Sequence, residues 1–176
     1  MFVDSSHYQF LKPLQSGWRK AFQEIISLKS NYFAQWPERD IYSGKWTVFG
    51  LYNFGEKISE NCALCPQTTK LVESVPGMVS AGFSSMAPGT HITPHKGYTS
   101  QVLRCHLGLV TNDDCALRVG AQERGWTPGS CFVFDDTVEH EAWNRGATTR
   151  IVLIVDFKRD QGETVIAPEH VRKYRV

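Results

Sequence analysis

The sequence predicts a mainly β domain of the jelly-roll or cupin type, with a few flanking helices. Seven short runs rich in β-branched and aromatic residues follow one another after residue 45, and Gly, Pro, Asn or Asp separates them. Short strands closely spaced between turn residues are typical of a sandwich or barrel. The runs are residues 46–54, 79–87, 101–110, 115–120, 131–136, 139–144 and 149–157.

One helix is expected ahead of the strands, in residues 15–28. Trp18, Phe22, Ile25 and Ile26 recur there at helical spacing, so one face of the helix can pack on the β body. A chain of 176 residues suits one domain. We therefore expect a single domain over 1–176, with a helical N-terminal layer (1–43), a β core (44–157) and a C-terminal extension (158–176).

The composition argues against several classes of function. The net charge is +1, and Lys and Arg are scattered, so neither nucleic acid nor an anionic membrane is an expected partner. No apolar run approaches the roughly 20 residues that a membrane-spanning helix needs. The five cysteines are an odd number, and no secretion signal is recognised, so we expect reduced thiols and a cytoplasmic protein.

Histidines cluster in one part of the chain, and imidazole is the commonest protein metal ligand. Three of the six lie within residues 91–106. His91 and His95 are four residues apart, but two prolines and a glycine in residues 88–94 disfavour a helix, so this pair is not expected to share a metal. His140 follows a strand and a turn. With His95, it would place two imidazoles on neighbouring strands at a barrel mouth.

Cationic residues accompany these histidines. Arg104 and His106 share a strand face by period 2, and Arg150 opens the apolar run 149–157. An arginine buried in such a strand needs an anionic partner. If these residues face inward, the cavity suits a dianionic ligand. Surface ion pairs and ordinary core histidines are the alternatives. No Asp or Glu lies in residues 91–106, so the usual set of two histidines and a carboxylate lacks its acid.

Four motifs occur in order: PGTHITPH, LRCHLGLV, WTPGSCFVFDDTVEHEAWN and TTRIVLIVD. With a weaker match at GKWTVFGLYNFGEKISENC, they resemble the aspartyl/asparaginyl β-hydroxylase family of iron(II)- and 2-oxoglutarate-dependent oxygenases over about residues 44–157. The resemblance implies a double-stranded β-helix that uses iron(II), 2-oxoglutarate and dioxygen. It implies that 2-oxoglutarate is decarboxylated to succinate and carbon dioxide while an unactivated C–H bond is hydroxylated.

The resemblance also implies roles for single residues. His95 and His140 match the two iron ligands of the family. Arg150, helped by Ser84, matches the arginine that pairs with the distal carboxylate of 2-oxoglutarate. Arg104 is similar to a residue that holds the other carboxylate or the substrate.

The remaining matches concern the surroundings of the iron. His106 shares the implied role of Arg104, and Asp136 matches an acid near the iron site. Gly97, two residues after His95, stands where related oxygenases carry their carboxylate ligand. The missing acid therefore belongs to the family pattern, and water would fill its place. Lys96 either steers an anionic substrate or points to solvent.

Two departures from the family pattern bear on function. Val102 stands where the family has a further arginine, so one cationic contact to an acidic substrate is absent. Cys62 matches one half of a family disulfide whose other half falls at Thr69, so that bridge cannot form. Cys62 and Cys65 have CxxC spacing, but no second cysteine or histidine pair accompanies them, which disfavours a zinc or redox role.

The leading expectation is hydroxylation of the β-carbon of Asp or Asn, either free or in a small peptide. Three alternatives stay open. The same chemistry could act on the acyl chain of a lipid or on another amino acid. The vacant ligand position could hold chloride and support halogenation. A cupin-like protein could bind a metal or a small acid without turnover.

Overall fold

Two antiparallel sheets and three α-helices make up the protein in a computed structural model, which describes residues 1–169; residues 170–176 of the expected C-terminal extension lie outside the described residues. The α-helices are α1 (Lys12–Ser27), α2 (Ser59–Leu64) and α3 (Pro66–Glu73). Short 3-10 helices cover Ser5–His7, Gln9–Leu11, Ser30–Tyr32 and Arg39–Ile41.

The strands divide unequally between the two sheets. In chain order they are β1 (Phe2–Val3), β2 (Ala34–Gln35), β3 (Tyr42–Ser43), β4 (Trp46–Asn53), β5 (Glu56–Lys57), β6 (Met78–Met86), β7 (His91–His95), β8 (Val102–Val110), β9 (Cys115–Val119), β10 (Gln122–Arg124), β11 (Cys131–Phe134), β12 (His140–Asn144) and β13 (Arg150–Lys158). The large sheet has the order β1-β11-β8-β13-β6-β4-β2, with β5 beside β4, and the small sheet has the order β10-β9-β12-β7-β3.

Each face of the large sheet has its own apolar layer. The outer face packs on α1, α2 and α3 through Leu14, Ile25, Val72, Phe83 and Leu153. The inner face meets the small sheet through a second cluster, which includes Trp46, Met86, Leu117, Phe134 and Val152. Helices that cover only the outer face leave the space between the sheets free for a site. The predicted mainly β fold with flanking helices is therefore confirmed.

All seven predicted strands are present, with ends shifted by at most two residues. Other elements differ from the expectation. The N-terminal 43 residues are not only a helical layer, because β1 pairs with β11 and β3 pairs with β7. Helices α2 and α3 lie inside the predicted β core, where Pro66 takes the first position of α3. Among residues 1–169, no helix is long and apolar enough to cross a membrane.

Cysteines play no cross-linking part in the described chain. All five are free thiols. The hydroxyl of Thr69 donates to the carbonyl oxygens of Cys62 and Cys65, at 3.3 and 2.8 Å. Burial raises the pKa of Cys65 to about 12, so this thiol is not a nucleophile near neutral pH.

Candidate active site

His95 and His140 face each other between the sheets. They lie on neighbouring strands β7 and β12 as register partners, and their ring centroids are 4.2 Å apart. In each ring Nδ1 donates to the carbonyl oxygen two residues earlier, Thr93 at 2.8 Å and Val138 at 2.9 Å. Nε2 is then the unprotonated nitrogen, as a metal ligand requires. Burial lowers the pKa of both rings, to about 3 for His140, so both are neutral.

A bulge in β7 makes this pairing possible. His95 pairs with His140 and Ile92 pairs with Ala142, so three steps along β7 oppose two along β12. The extra residue reverses the alternation of side chains beyond it. Pro94 lies within this step and lacks the N–H that a regular ladder would need.

The bulge also separates the two histidines of β7. His91 and His95 would share a face in a regular strand, since their positions differ by four, an even number. Instead, Nε2 of His91 lies 2.9 Å from Oε2 of Glu141 on the solvent side, and the side chain of His91 is 45% exposed. The structure thus agrees with the expectation that His91 and His95 do not share a metal.

Asp136 lies against Gly97, beyond the histidine pair. The backbone N–H of Gly97 donates to the carbonyl oxygen of Asp136 at 2.7 Å. A Cβ atom on Gly97 would lie 2.2 Å from Oδ2 of Asp136, so the Asp136 carboxylate fills the space where a side chain at 97 would begin. Its Oδ1 is buried without a hydrogen-bond partner in the described chain. Burial raises the pKa of Asp136 to about 6.

The imidazoles of His95 and His140 fit an iron site with two protein ligands. No group of three or more His, Cys, Asp or Glu side chains in residues 1–169 is arranged to hold a metal. Two neutral imidazoles would leave the remaining positions to a bidentate co-substrate, water and dioxygen. The unpartnered oxygen of Asp136 could accept a hydrogen bond from such a water.

Arg150 is a buried cation without an anion. It is 2% exposed, and none of the acidic side chains in residues 1–169 forms a salt bridge with it. Its Nη1 donates to the carbonyl oxygen of Ser84 at 3.2 Å, while its Nε has no partner in the described chain. Its guanidinium lies 4.6 Å from the ring centroid of Trp126. Burial lowers the pKa of Arg150 to about 10, so the group is still charged at neutral pH.

Two more donors lie on this inner face. Trp126 Nε1 donates to Nδ1 of His106 at 3.2 Å, so the proton of this neutral ring is on Nε2. That Nε2 is buried and unpartnered among residues 1–169. Trp46 Nε1 donates to Oγ of Ser84 at 3.0 Å, which leaves the hydroxyl hydrogen to donate elsewhere. A carboxylate at Arg150 would satisfy donors that burial otherwise makes costly.

Arg104 is paired within the protein. Its Nε and Nη2 donate to the two carboxylate oxygens of Asp156, at 2.7 and 2.8 Å. Its Nη1 lies 3.4 Å from Oδ2 of Asp136. Burial alone would lower the pKa of Arg104, but the carboxylates of Asp156 and Asp136 raise it. Arg104 and His106 lie on the same face of β8, as the two-residue period of a strand predicts. The guanidinium of Arg104 forms ion pairs with Asp136 and Asp156.

Three residues of the site were not among those predicted from the sequence. Trp46 donates to Ser84, Trp126 donates to His106, and Asp156 neutralises Arg104. The sequence does contain an indication for Asp156, because it is an acid at an inward position of the apolar strand Arg150–Lys158. The sequence gives no indication for the two tryptophans, because it does not distinguish a core tryptophan from one that donates a hydrogen bond to a site residue.

This chain is similar in sequence to known proteins. The family model described as aspartyl/asparaginyl beta-hydroxylase matches residues 15–160. The ornithine lipid ester-linked acyl 2-hydroxylase of Rhizobium tropici is 45% identical over 116 residues, which are 64% of this chain and 41% of that protein. The aspartyl/asparaginyl beta-hydroxylase of Homo sapiens is 30% identical over 162 residues, which are 87% of this chain and 21% of that protein.

Solved structures show the same fold at low sequence identity. A prolyl-4-hydroxylase of Pseudomonas putida matches with a TM-score of 0.56 and 17% identity, over 83% of this chain and 88% of that one. An oxidoreductase of the 2OG-Fe(II) oxygenase family from Burkholderia pseudomallei matches with a TM-score of 0.56 and 12% identity, over 84% and 81%.

Proposed function

This chain belongs to the aspartyl/asparaginyl β-hydroxylase family, and from that premise we propose that it is an iron(II)- and 2-oxoglutarate-dependent hydroxylase acting on an acyl chain. The observation that carries the chemistry is the buried guanidinium of Arg150. It lacks an anion among residues 1–169 and lies on the inner face of the sheet that also carries the unpartnered Nε2 of His106. A dicarboxylate co-substrate would supply the missing charge.

Each residue of the site has a task in this proposal. His95 and His140 would hold iron(II), which when bound supplies the activation of dioxygen that is coupled to decarboxylation of 2-oxoglutarate. Arg150 and the hydroxyl of Ser84 would bind the distal carboxylate through charge-assisted hydrogen bonds. His106 would donate from Nε2 to an oxygen of the same molecule. The apolar side chains between the sheets exclude water from these contacts.

Two observations favour an acyl chain as the substrate. The Rhizobium relative, at 45% identity, is named as an acyl 2-hydroxylase. The surface that lines the space beside His95 is mostly apolar, and Trp36, Ile41 and Val48 contribute to it. An extended hydrocarbon fits such walls, because it has no polar groups that would be left without hydrogen-bond partners.

The β-carbon of Asp or Asn was the leading expectation from sequence, and it becomes the second candidate. The Homo sapiens relative supports it. The chain argues against it at two positions. Val102 is buried where the family pattern has an arginine, and the guanidinium of Arg104 is already occupied by Asp156. No free cation for an acidic substrate side chain remains at either of these two positions.

The geometry also disfavours halogenation. Chloride would have to lie near Gly97, where a carboxylate ligand is missing. The carboxylate of Asp136 is the nearest group to that place, and it would repel an anion. A protein that binds without turnover is disfavoured by its relatives, since the family model and both relatives reported above carry hydroxylase names.

The test is reconstitution without oxygen. Iron(II) and 2-oxoglutarate are added to the protein, and the visible charge-transfer band of a bidentate 2-oxoacid on iron is recorded. Air is then admitted with a panel of acyl lipids, N-acyl amino acids, and Asp- or Asn-containing peptides. Succinate and product mass are measured. We expect the band, and a product heavier by one oxygen atom from an acyl compound.

The control pair is Arg150→Gln and Arg145→Gln. Arg145 is exposed and follows β12, with its guanidinium over the Trp143 ring. Only Arg150→Gln should lose the band at limiting 2-oxoglutarate. Equal affinity for 2-oxoglutarate in both variants would overturn the assignment of Arg150, and the absence of a band in the unaltered protein would overturn the function.

A further inference from the structure

An apolar groove extends from the histidine pair along the inner face of the large sheet. Its volume is about 290 Å³, at the small end of ligand pockets in proteins. His95, Ser84 and Arg104 line its inner end, and Tyr52 and Phe54 line its outer end. The groups proposed for the chemistry thus lie at the inner end.

Two glycines form the floor of this groove. Gly50 on β4 and Gly82 on β6 are register partners, and Ile154 on β13 lies on the other side of Gly82. All three line the groove. A Cβ atom on Gly82 would lie 2.8 Å from the carbonyl oxygen of Phe49 and 2.9 Å from Cα of Gly50, so no larger residue fits there. Close backbone approach therefore keeps the floor of the groove free of side chains.

The stacked rings of Trp36 and Trp46 form one wall. Their centroids are 4.5 Å apart and their planes differ by 17°. Trp36 Nε1 donates to Oε2 of Glu38 at 3.1 Å, and the hydroxyl of Tyr98 donates to the same oxygen. Hydrogen bonds made by the polar edges hold the wall in place while the apolar ring faces remain for contact with a ligand.

Phe54 closes the outer end in a strained backbone conformation. It follows β4 at the tip of the β4–β5 hairpin, and its φ of 46° is the only positive value outside glycine in the described part of the chain. Asn, Asp or Gly normally occupies such a position, because a bulky side chain is strained there. The turn is tied to β6, since the N–H of Phe54 donates to Oγ of Ser80 at 2.9 Å. Turn chemistry alone does not account for a phenylalanine at this place.

We propose that the groove between His95 and Phe54 binds the distal part of the substrate's acyl chain, and that the ring of Phe54 sets the chain length accepted. This inference rests on the proposed acyl hydroxylase function. The groove suits a hydrocarbon better than a peptide, because a peptide backbone needs a partner for every N–H and C=O. At the outer end, the Oγ of Ser80 already accepts a hydrogen bond from the N–H of Phe54.

The decisive variant is Phe54→Asn. Asparagine tolerates a positive φ, so the turn remains while the ring is removed. The assay measures kcat/KM for a series of N-acyl amino acids that differ only in chain length. We expect the preferred chain to become longer, and kcat/KM for the chain that the unaltered protein prefers to fall roughly tenfold. The affinity for 2-oxoglutarate should not change. Tyr32→Asn is the matched control, because Tyr32 is exposed and does not line this groove.

A second readout does not depend on turnover. An acyl chain brominated in the half nearer its carbonyl group quenches the fluorescence of tryptophans that it contacts. In metal-free protein, we expect it to quench emission from Trp36 and Trp46, and we expect weaker quenching in Trp36→Phe than in Trp18→Phe. Trp18 lies on α1, outside the groove. Quenching that is equal in both variants would overturn the proposed position of the chain.

The outcomes separate this inference from the function on which it rests. An unchanged length preference in Phe54→Asn, with acyl hydroxylation intact, would overturn only the role of Phe54. Hydroxylation of peptides but of no acyl compound would overturn the acyl substrate and the groove assignment, and would leave the oxygenase chemistry standing. No charge-transfer band and no succinate from the unaltered protein would overturn the proposed function itself.

Discussion

Trp126 fixes the tautomer of His106. Its Nε1–H donates to Nδ1 of His106 at 3.2 Å, and the two rings stack with an interplanar angle of 19°. Because Nδ1 is thereby the acceptor, the ring proton is on Nε2, which has no partner within residues 1–169. This hydrogen bond makes Nε2 the donor of the neutral, buried His106 ring.

Trp126→Phe tests this relationship. Phenylalanine keeps an aromatic ring beside Arg150 but cannot donate to His106, so the His106 proton can move to Nδ1. We expect 2-oxoglutarate to bind more weakly by about 1 kcal/mol, the usual contribution of one hydrogen bond. Titration of the charge-transfer band at fixed iron gives the affinity. Trp143→Phe, on the outer face of the small sheet, is the control. An equal affinity in the two variants would show that His106 does not contact the co-substrate.

Arg150→Met should change stability and binding in opposite directions. The guanidinium is buried without an anion in the described chain, so methionine should leave the free energy of unfolding unchanged or raise it. Affinity for 2-oxoglutarate should fall by about 2–5 kcal/mol, because the carboxylate loses its charged partner. Thermal unfolding with and without 2-oxoglutarate measures both effects. The ligand should raise Tm in the unaltered protein only. A variant that loses stability but still responds to 2-oxoglutarate would contradict this account.

His140 on β12 and His91 on β7 provide a matched pair. His140→Ala should abolish iron binding while the protein stays folded, because it removes one of two predicted protein ligands. His91→Ala should bind iron at full stoichiometry, since His91 lies on the opposite face and contacts Glu141. Metal content after reconstitution and circular dichroism spectra decide the question. Full iron occupancy in His140→Ala would remove the basis of the site.

Gly97 and Asp136 should be energetically coupled. In Gly97→Ala the new Cβ would lie 2.2 Å from Oδ2 of Asp136, so one of the two groups has to move. We expect the free energy of unfolding to fall by about 1–3 kcal/mol, as for other overpacked sites. In an Asp136→Gly background the same change should have little effect. Denaturant unfolding of both single variants and the double variant gives the coupling energy. Strictly additive effects would mean that Asp136 moves away without loss.

Local patterns predicted most of the β framework. In β8, Arg104 and His106 alternate with apolar residues, so sequence alone placed these two side chains on one face. The residues 91–95 were not predicted as a strand, because Pro94 is unusual in a strand and a bulge breaks the alternation there. A bulge depends on the register with β12, which no local pattern specifies.

Side-chain pairing was harder to predict than side-chain direction. The sequence places Arg104 on the same face as His106, but the bidentate contact of Arg104 with Asp156 joins residues 52 positions apart. The two short helices were also not predicted from the sequence. Helices α2 and α3 contain six and eight residues, too few to show a helical period, and packing against α1 and β4 stabilises them.

The two carbonyl oxygens that hold His95 and His140 have an evolutionary consequence. Both acceptors belong to the main chain, at Thr93 and Val138, so the orientation of the rings does not depend on which side chains surround them. The groove walls, in contrast, are side chains that can be exchanged. With His95 and His140 as the proposed iron ligands, a lineage could therefore change its substrate while these two ligands keep their orientation. Relatives named for amino acid residues and for a lipid are expected if the main chain orients the histidines and the groove side chains select the substrate.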